Sequence, residues 1–310
     1  MIPISSSSQI RIVEPSPFLL HAVQEELARS LPDEQKPLLK LLGISDFLTC
    51  ITVVRRERAI GRMILSHEKL EAAGTLVGKL GLHWKRSGCD YMLKDNIVEG
   101  TDHEGAFVPR CSPGANHGVL YFGLCEELVA AAEDLELIGE HRFLGQLFGY
   151  PECCVRFLVE SRIQRFDKTP EAISDAGPFP SEMNPLLPAL YGLHLLFHFP
   201  CSPRCEASRE ILWRRQRYLA HLAPSMSVMA RWGAGIALYG PQIGMALVTA
   251  YRTIGEGTYM AEEITTRSEQ SRRLFLNGMA SIHIRIKSCQ SFAVGDTVFK
   301  HGLCRVAIFV

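Results

Sequence analysis

Asp46-Phe47-Leu48-Thr49-Cys50-Ile51-Thr52-Val53-Val54-Arg55 is an apolar, β-branched run with a charge at each end. That composition predicts a buried β-strand. The chain after it reads as helix: Ser66-His67-Glu68-Lys69 sets a serine N-cap before an acid and predicts a helix to about Leu80. His83–Arg86 and Tyr91–Lys94 read as a strand pair, Gly118–Gly123 as a short strand and Leu124–Leu137 as a helix. Upstream, Phe18, Leu19, Val23, Leu27 and Leu31 recur at helical spacing. Strands alternating with helices over residues 40–137 predict an α/β unit.

Residues 139–220 read as helical, interrupted by Asp167 to Pro188, which carries Pro170, Pro178, Pro180, Pro185 and Pro188. A connection of that length predicts a covering loop or lid rather than regular structure. Beyond Trp232 the composition becomes strand-like at Gly235–Tyr239, Met245–Tyr251, Ser281–Lys287, Val294–Phe299 and Cys304–Val310, around one expected helix, Ala261–Gly278. The fold class expected is α/β (α+β). Three regions follow: 1–137 an N-terminal α/β region, 138–230 a helical cysteine-motif region and 231–310 a β-rich region.

The 310 residues hold 33 Lys and Arg against 33 Asp and Glu, and 47% are hydrophobic. A balanced chain lacks the cationic surplus of a general polyanion binder, so nucleic acid is not an expected partner. No run of about 20 uncharged apolar residues occurs, so no membrane span is expected. Met1-Ile2-Pro3-Ile4-Ser5-Ser6-Ser7-Ser8 lacks the basic and apolar regions of a secretion signal. The expected location is cytoplasmic, where cysteines stay reduced. Ten cysteines then demand a reason.

Four of them fall in two segments, Gly149-Tyr150-Pro151-Glu152-Cys153-Cys154-Val155 and His198-Phe199-Pro200-Cys201-Ser202-Pro203-Arg204-Cys205. Pro151 suits the first position of a helix whose buried stripe is Val155, Leu158, Val159 and Ile163. Ser202 reads as the N-cap of a second helix with Pro203 at its first position. All four thiols would stand in or just before a helix's first turn, where free N–H groups and the helix dipole favour thiolate. Two such ends facing each other would assemble a four-thiolate site.

Cys201-x3-Cys205 has zinc-knuckle spacing, whereas adjacent Cys153-Cys154 side chains are expected to diverge. An iron–sulfur cluster, 4Fe-4S with an open iron, fits one of the adjacent pair together with Cys201 and Cys205. Zinc, a metal-free thiol redox or sulfur relay, and plain structural cysteines stay open beside it. The motifs Gly149-Tyr150-Pro151-x-Cys153-Cys154 and His198-x-Pro200-Cys201-Ser202-x-x-Cys205 resemble an uncharacterised prokaryotic family marked by GYPxCC. The resemblance covers roughly residues 118–210 and implies shared cysteine use there without naming a reaction.

The expected function is an iron–sulfur enzyme acting on a small polar substrate by Lewis-acid, redox or sulfur-transfer chemistry, of lyase, sulfurtransferase or oxidoreductase type. An electron or sulfur donor protein would be its partner. The alternative is a zinc-stapled binding or structural module. Cys153 and His198 are the catalytic candidates, His198 as a general acid or ligand three residues before Cys201. Arg204, Arg209, His194 and Tyr150 are substrate-binding candidates, with His194 and His198 sharing a helix face. The run Trp213-Arg214-Arg215-Gln216-Arg217-Tyr218 reads as a solvated helix face. Cys111-Ser112-Pro113-Gly114 reads as a turn, and Cys50, Cys125, Cys289 and Cys304 as core residues.

Overall fold

Val119 to Phe122 are completely buried, and their side chains alternate between two separate cores. They lie in the middle of a computed structural model that describes residues 10–15, 17–94, 104–160, 169–276, 282–300 and 303–310. Ser5–Ser8, Ile163, Asp167, Gly278 and Ser281 fall outside these. The helices in chain order are α1 (Pro17–Ser30), α2 (Lys36–Val54), α3 (His67–Lys79), α4 (Glu126–Leu137), α5 (His141–Leu147), α6 (Glu152–Glu160), α7 (Thr169–Ala172), α8 (Leu187–Tyr191), α9 (Glu206–Leu222) and α10 (Glu269–Leu276). The strands are β1 (Arg11–Val13), β2 (Ile60–Ser66), β3 (His83–Lys94), β4 (Glu104–Pro109), β5 (His117–Gly123), β6 (Gly235–Gly240), β7 (Gly244–Gly255), β8 (Thr258–Thr265), β9 (Ile282–Ser288), β10 (Ser291–Val294), β11 (Thr297–Phe299) and β12 (Arg305–Phe309). The fold is mixed α/β, as expected.

The first sheet is antiparallel in the order β2-β5-β3-β4. Leu120 and Phe122 pack with Phe47, Leu48 and Ile51 of α2 and with Leu70 and Val77 of α3. On the other face Val119 and Tyr121 meet Val129 and Ala132 of α4 and Leu144 of α5. Helices on both faces explain why the central strand is a continuous apolar run. The expected pair His83–Arg86 and Tyr91–Lys94 is one strand, β3, with a bulge between Arg86 and Asp90 where it pairs with β5.

Residues 46–55 are not a strand. Asp46 to Val54 form the second half of α2, which kinks at Gly43, where φ is +76°. Phe47 through Val53 are buried without a break, so no polar face marks the helical period. A short apolar run buried all round cannot be told from a buried strand by periodicity. Two core threonines satisfy their hydroxyls inside the helix: Thr49 donates to the Ser45 carbonyl at 3.2 Å and Thr52 to the Thr49 carbonyl at 2.9 Å. This helix is also long and apolar enough to cross a membrane by composition alone (mean hydropathy 1.7), and 56% of that window is buried inside the protein.

The second sheet runs β11-β10-β9-β8-β7-β6-β12 in antiparallel pairs, with β1 parallel to β8 off that path. Residues 261–265 belong to β8 rather than to a helix, and only α10 is helical there. The β-branched Ile264 and Thr265 pair with Val248 and Leu247 of β7, which carries the strand onward. The described part of the proline-rich segment is built into this half. Ile173, Phe179, Leu186 and Leu190 pack on Tyr239, Met245, Leu247 and Phe309. It forms a fixed layer over the second sheet, not a free cover.

Candidate metal centre

Gly149 ends the turn after α5 with φ +68°, a region that glycine enters without strain. A side chain there would also meet the carbonyl oxygen of Glu57 at 2.8 Å and Cβ of Arg58 at 2.9 Å. That close approach lays Tyr150 against Phe148 and His198, with ring centroids 5.5 and 5.1 Å away. Helix α6 starts at Glu152, one residue later than expected, because Pro151 serves as its cap: its carbonyl accepts from Cys154 N and Val155 N, both at 2.9 Å.

The second segment differs more. Residues 202–204 form a turn in which Ser202 Oγ accepts from Arg204 N at 3.0 Å and the Ser202 carbonyl accepts from Cys205 N at 3.0 Å. Cys205 itself, in extended conformation, caps α9. The expected Ser202 cap is therefore displaced by three residues, since the serine side chain closes its own local turn instead. Nor is there a helix from 192 to 200: Gly192, at φ +68°, terminates α8, and His194 and His198 share no helix face.

Cys153, Cys154, Cys201 and Cys205 converge, with all four sulfurs within 4.8 Å of one another. The Sγ separations are 3.9 Å for Cys153–Cys154, 3.7 Å for Cys153–Cys205 and 3.6 Å for Cys154–Cys205. The adjacent pair thus converges, contrary to the expected divergence, because a first-turn backbone lets the two side chains lean to one point. This four-cysteine group can hold a metal ion.

Ser208 was not anticipated, although it stands three residues after the N-cap cysteine, where capping-box side chains reach back. It is fully buried, and its Oγ lies 3.2 Å from Cys154 Sγ, 3.3 Å from Cys205 Sγ and 2.8 Å from His198 Nε2. His198 accordingly touches the centre through Ser208 and is not one of the converging donors. Burial, reinforced by Arg215 and Arg58, lowers the His198 pKa to about 3, so the imidazole is neutral at physiological pH and is no acid reserve.

The thiols split in their electrostatics. Burial raises Cys154 far above the ordinary thiol range despite its contacts with Ser208 and Cys201 N. Burial and Cys205 push Cys201 up to about 12. For Cys205 burial also raises, yet hydrogen bonds from Ser208 Oγ and N and from the neighbouring thiols outweigh it, and its pKa falls. Four sulfurs this close cannot all ionise unaided; a cation among them would release their protons and take four thiolates.

Beside the centre lies an arginine-rich wall. Arg58 and Arg215, only 5% and 6% exposed, both stack on Phe197 at 4.7 and 4.6 Å from its ring centroid. Arg215 donates to the Leu195 carbonyl at 2.5 Å and lies 3.8 Å from Glu57 Oε2. Arg58 reaches only the Thr49 carbonyl, at 3.5 Å, and its Nε has no partner among the described residues. Arg215 thus departs from the expected solvated face, while Arg214 and Arg217 keep to it.

The substrate candidates are otherwise engaged. Arg204 pairs with Asp175 at 2.6 Å and lies over Phe179, and Arg209 pairs with Glu182 at 3.0 Å. His194 uses its backbone N–H on Ser45 Oγ at 2.9 Å, away from the thiols. Cys50, Cys289 and Cys304 are buried, Cys125 is half-buried with its thiol on Glu127, and Cys111 is exposed. No family model, curated protein or solved structure matches the chain.

Proposed function

We propose that Cys153, Cys154, Cys201 and Cys205 hold one tetrahedral zinc ion that staples the start of α6 to the start of α9. The observation that carries this is the sulfur spacing: 3.6–3.9 Å among Cys153, Cys154 and Cys205, with Cys201 within 4.8 Å of each. Zinc–sulfur bonds of about 2.3 Å in tetrahedral array separate their sulfurs by about 3.8 Å. Thiolates on the corners of a four-iron cube stand about 6 Å apart, so the spacing supports a single ion over the expected iron–sulfur cluster. Ser208 and, behind it, His198 supply the outer hydrogen bonds that orient ligands in such sites. Once the sulfurs are thiolates, the Ser208 hydroxyl donates to sulfur and His198 Nε2–H donates to Ser208 Oγ.

Bound zinc adds no redox chemistry; its contribution is fold energy. The staple joins two cores. Phe148 and Tyr150 belong to the layer on the α4–α5 side of the first sheet, whereas Leu195, Leu212 and Leu219 belong to the core shared by α1, α2 and α3. Elemental analysis of anaerobically purified protein tests the reading. One zinc per chain in colourless protein is expected; brown protein carrying iron and acid-labile sulfide would overturn it in favour of the cluster enzyme.

A further inference from the structure

The four sulfurs are unequal. Cys154 and Cys205 are buried, and each takes a hydrogen bond from outside the thiol set: Ser208 Oγ donates to Cys205 Sγ at 3.3 Å and lies 3.2 Å from Cys154 Sγ, and the Cys201 N–H donates to Cys154 Sγ at 3.4 Å. Cys153 and Cys201 are half-buried. Among the described residues Cys153 Sγ contacts only other thiols, and no N–H or O–H donates to Cys201 Sγ. Hydrogen bonds and burial quench a thiolate's nucleophilicity by spending its lone pairs and blocking approach, and a metal-held sulfur without them stays anionic and available.

Resting on the zinc reading above, we propose that the centre has a reactive edge, Cys153 and Cys201, which accepts alkyl groups from soft carbon electrophiles. An outer thiolate gives its electron pair to the electrophilic carbon; the S–C bond forms as the carbon–leaving-group bond breaks, and the leaving group departs with that bond's pair. The product is a neutral thioether, so the centre loses one unit of negative charge. Cys154 and Cys205, backed by Ser208, are the permanent half of the site.

Limited treatment of the zinc-loaded full chain with iodoacetamide, followed by peptide mass mapping, tests this. Cys153 and Cys201 should be alkylated at least about tenfold faster than Cys154 and Cys205. The full chain carrying Ser208→Ala separates hydrogen bonding from mere access: it should raise the rates at Cys154 and Cys205 at least about threefold and leave Cys153 unchanged. Equal rates at the four cysteines, the buried pair reacting first, or an unmoved Cys154 and Cys205 in the variant would each overturn the proposal. Zinc content of the untreated protein is measured on the same sample, so absence of zinc overturns the zinc reading separately.

Discussion

Ser208 Oγ lies 2.8 Å from His198 Nε2 and within 3.3 Å of two of the four sulfurs. One hydroxyl thus ties a neutral buried imidazole to the thiol cluster. Replacing it leaves His198 Nε2 without its acceptor, Cys205 Sγ without its hydroxyl donor and Cys154 Sγ without one polar neighbour. Ser208→Ala should weaken zinc binding about tenfold to a hundredfold and cost about 1–3 kcal/mol of stability. Competition against a chromophoric chelator and denaturant unfolding would measure both; unchanged affinity would refute the bridging role.

Arg58 is a buried guanidinium with no carboxylate within ion-pair distance among the described residues, and on the zinc reading four thiolates would leave two net negative charges at the centre on the far side of His198, whose pKa Arg58 lowers. Removing a buried charge that lacks a counter-ion stabilises, and removing one that has found its counter-charge destabilises. Arg58→Met should therefore raise the melting temperature of metal-free protein and lower that of zinc-loaded protein. A role confined to packing on Phe197 predicts a drop in both, which differential scanning calorimetry distinguishes.

Chelation should act as a loosening of the two cores from one another rather than as a local change. Stripping zinc, or substituting Cys201 and Cys205 by alanine, should lower the unfolding midpoint and speed hydrogen exchange in α6 and the first turns of α9, with the second sheet little affected. Exchange protection in α6 that does not respond to chelator would contradict this.

Burial raises Asp46 from an ordinary 3.8 to about 6, against an opposing pull from Lys69. The folded protein therefore binds this proton more tightly than the unfolded chain. The penalty for the charged form is absent below about pH 4, grows between about pH 4 and 6, and is complete above that. Asp46→Asn should stabilise by about 2–3 kcal/mol at pH 7.5, at 1.36 kcal/mol per unit, with the gain vanishing near pH 4. Urea unfolding at the two pH values is the check, and a gain equal at both would contradict it.

The legible parts of the sequence were those set by local rules. Pro151 and the cysteines beside it marked a helix start within one residue, and the two cysteine pairs could be named as one site before any contact was known. The alternating Ile282, Ile284 and Ile286 of β9 likewise declared a strand. What stayed hidden depended on distant chain. Phe47 to Val53 lost their helical signature because helices and sheet surround them on every side. Ser208, Arg58 and Arg215 look ordinary in sequence and acquire their roles only when residues 57–58, 197–198 and 208–215 meet. The convergence of Cys153 and Cys154 is a matter of side-chain torsion, on which spacing is silent.

Arg11, Ile12 and Val13 pair in parallel with Glu263, Ile264 and Thr265. During synthesis on a ribosome the first-made of these strands must wait, unpaired, until some 250 residues later its partner emerges. The first sheet and the thiol centre, whose two cysteine segments lie about 50 residues apart, are complete well before then. On the zinc reading the staple can be set while the second sheet is still being translated; β1 gains its partner once β8 emerges, and β9 to β12 follow. A chain arrested before residue 263 would, on that reading, be able to hold its metal while β1 still lacked the strand it pairs with.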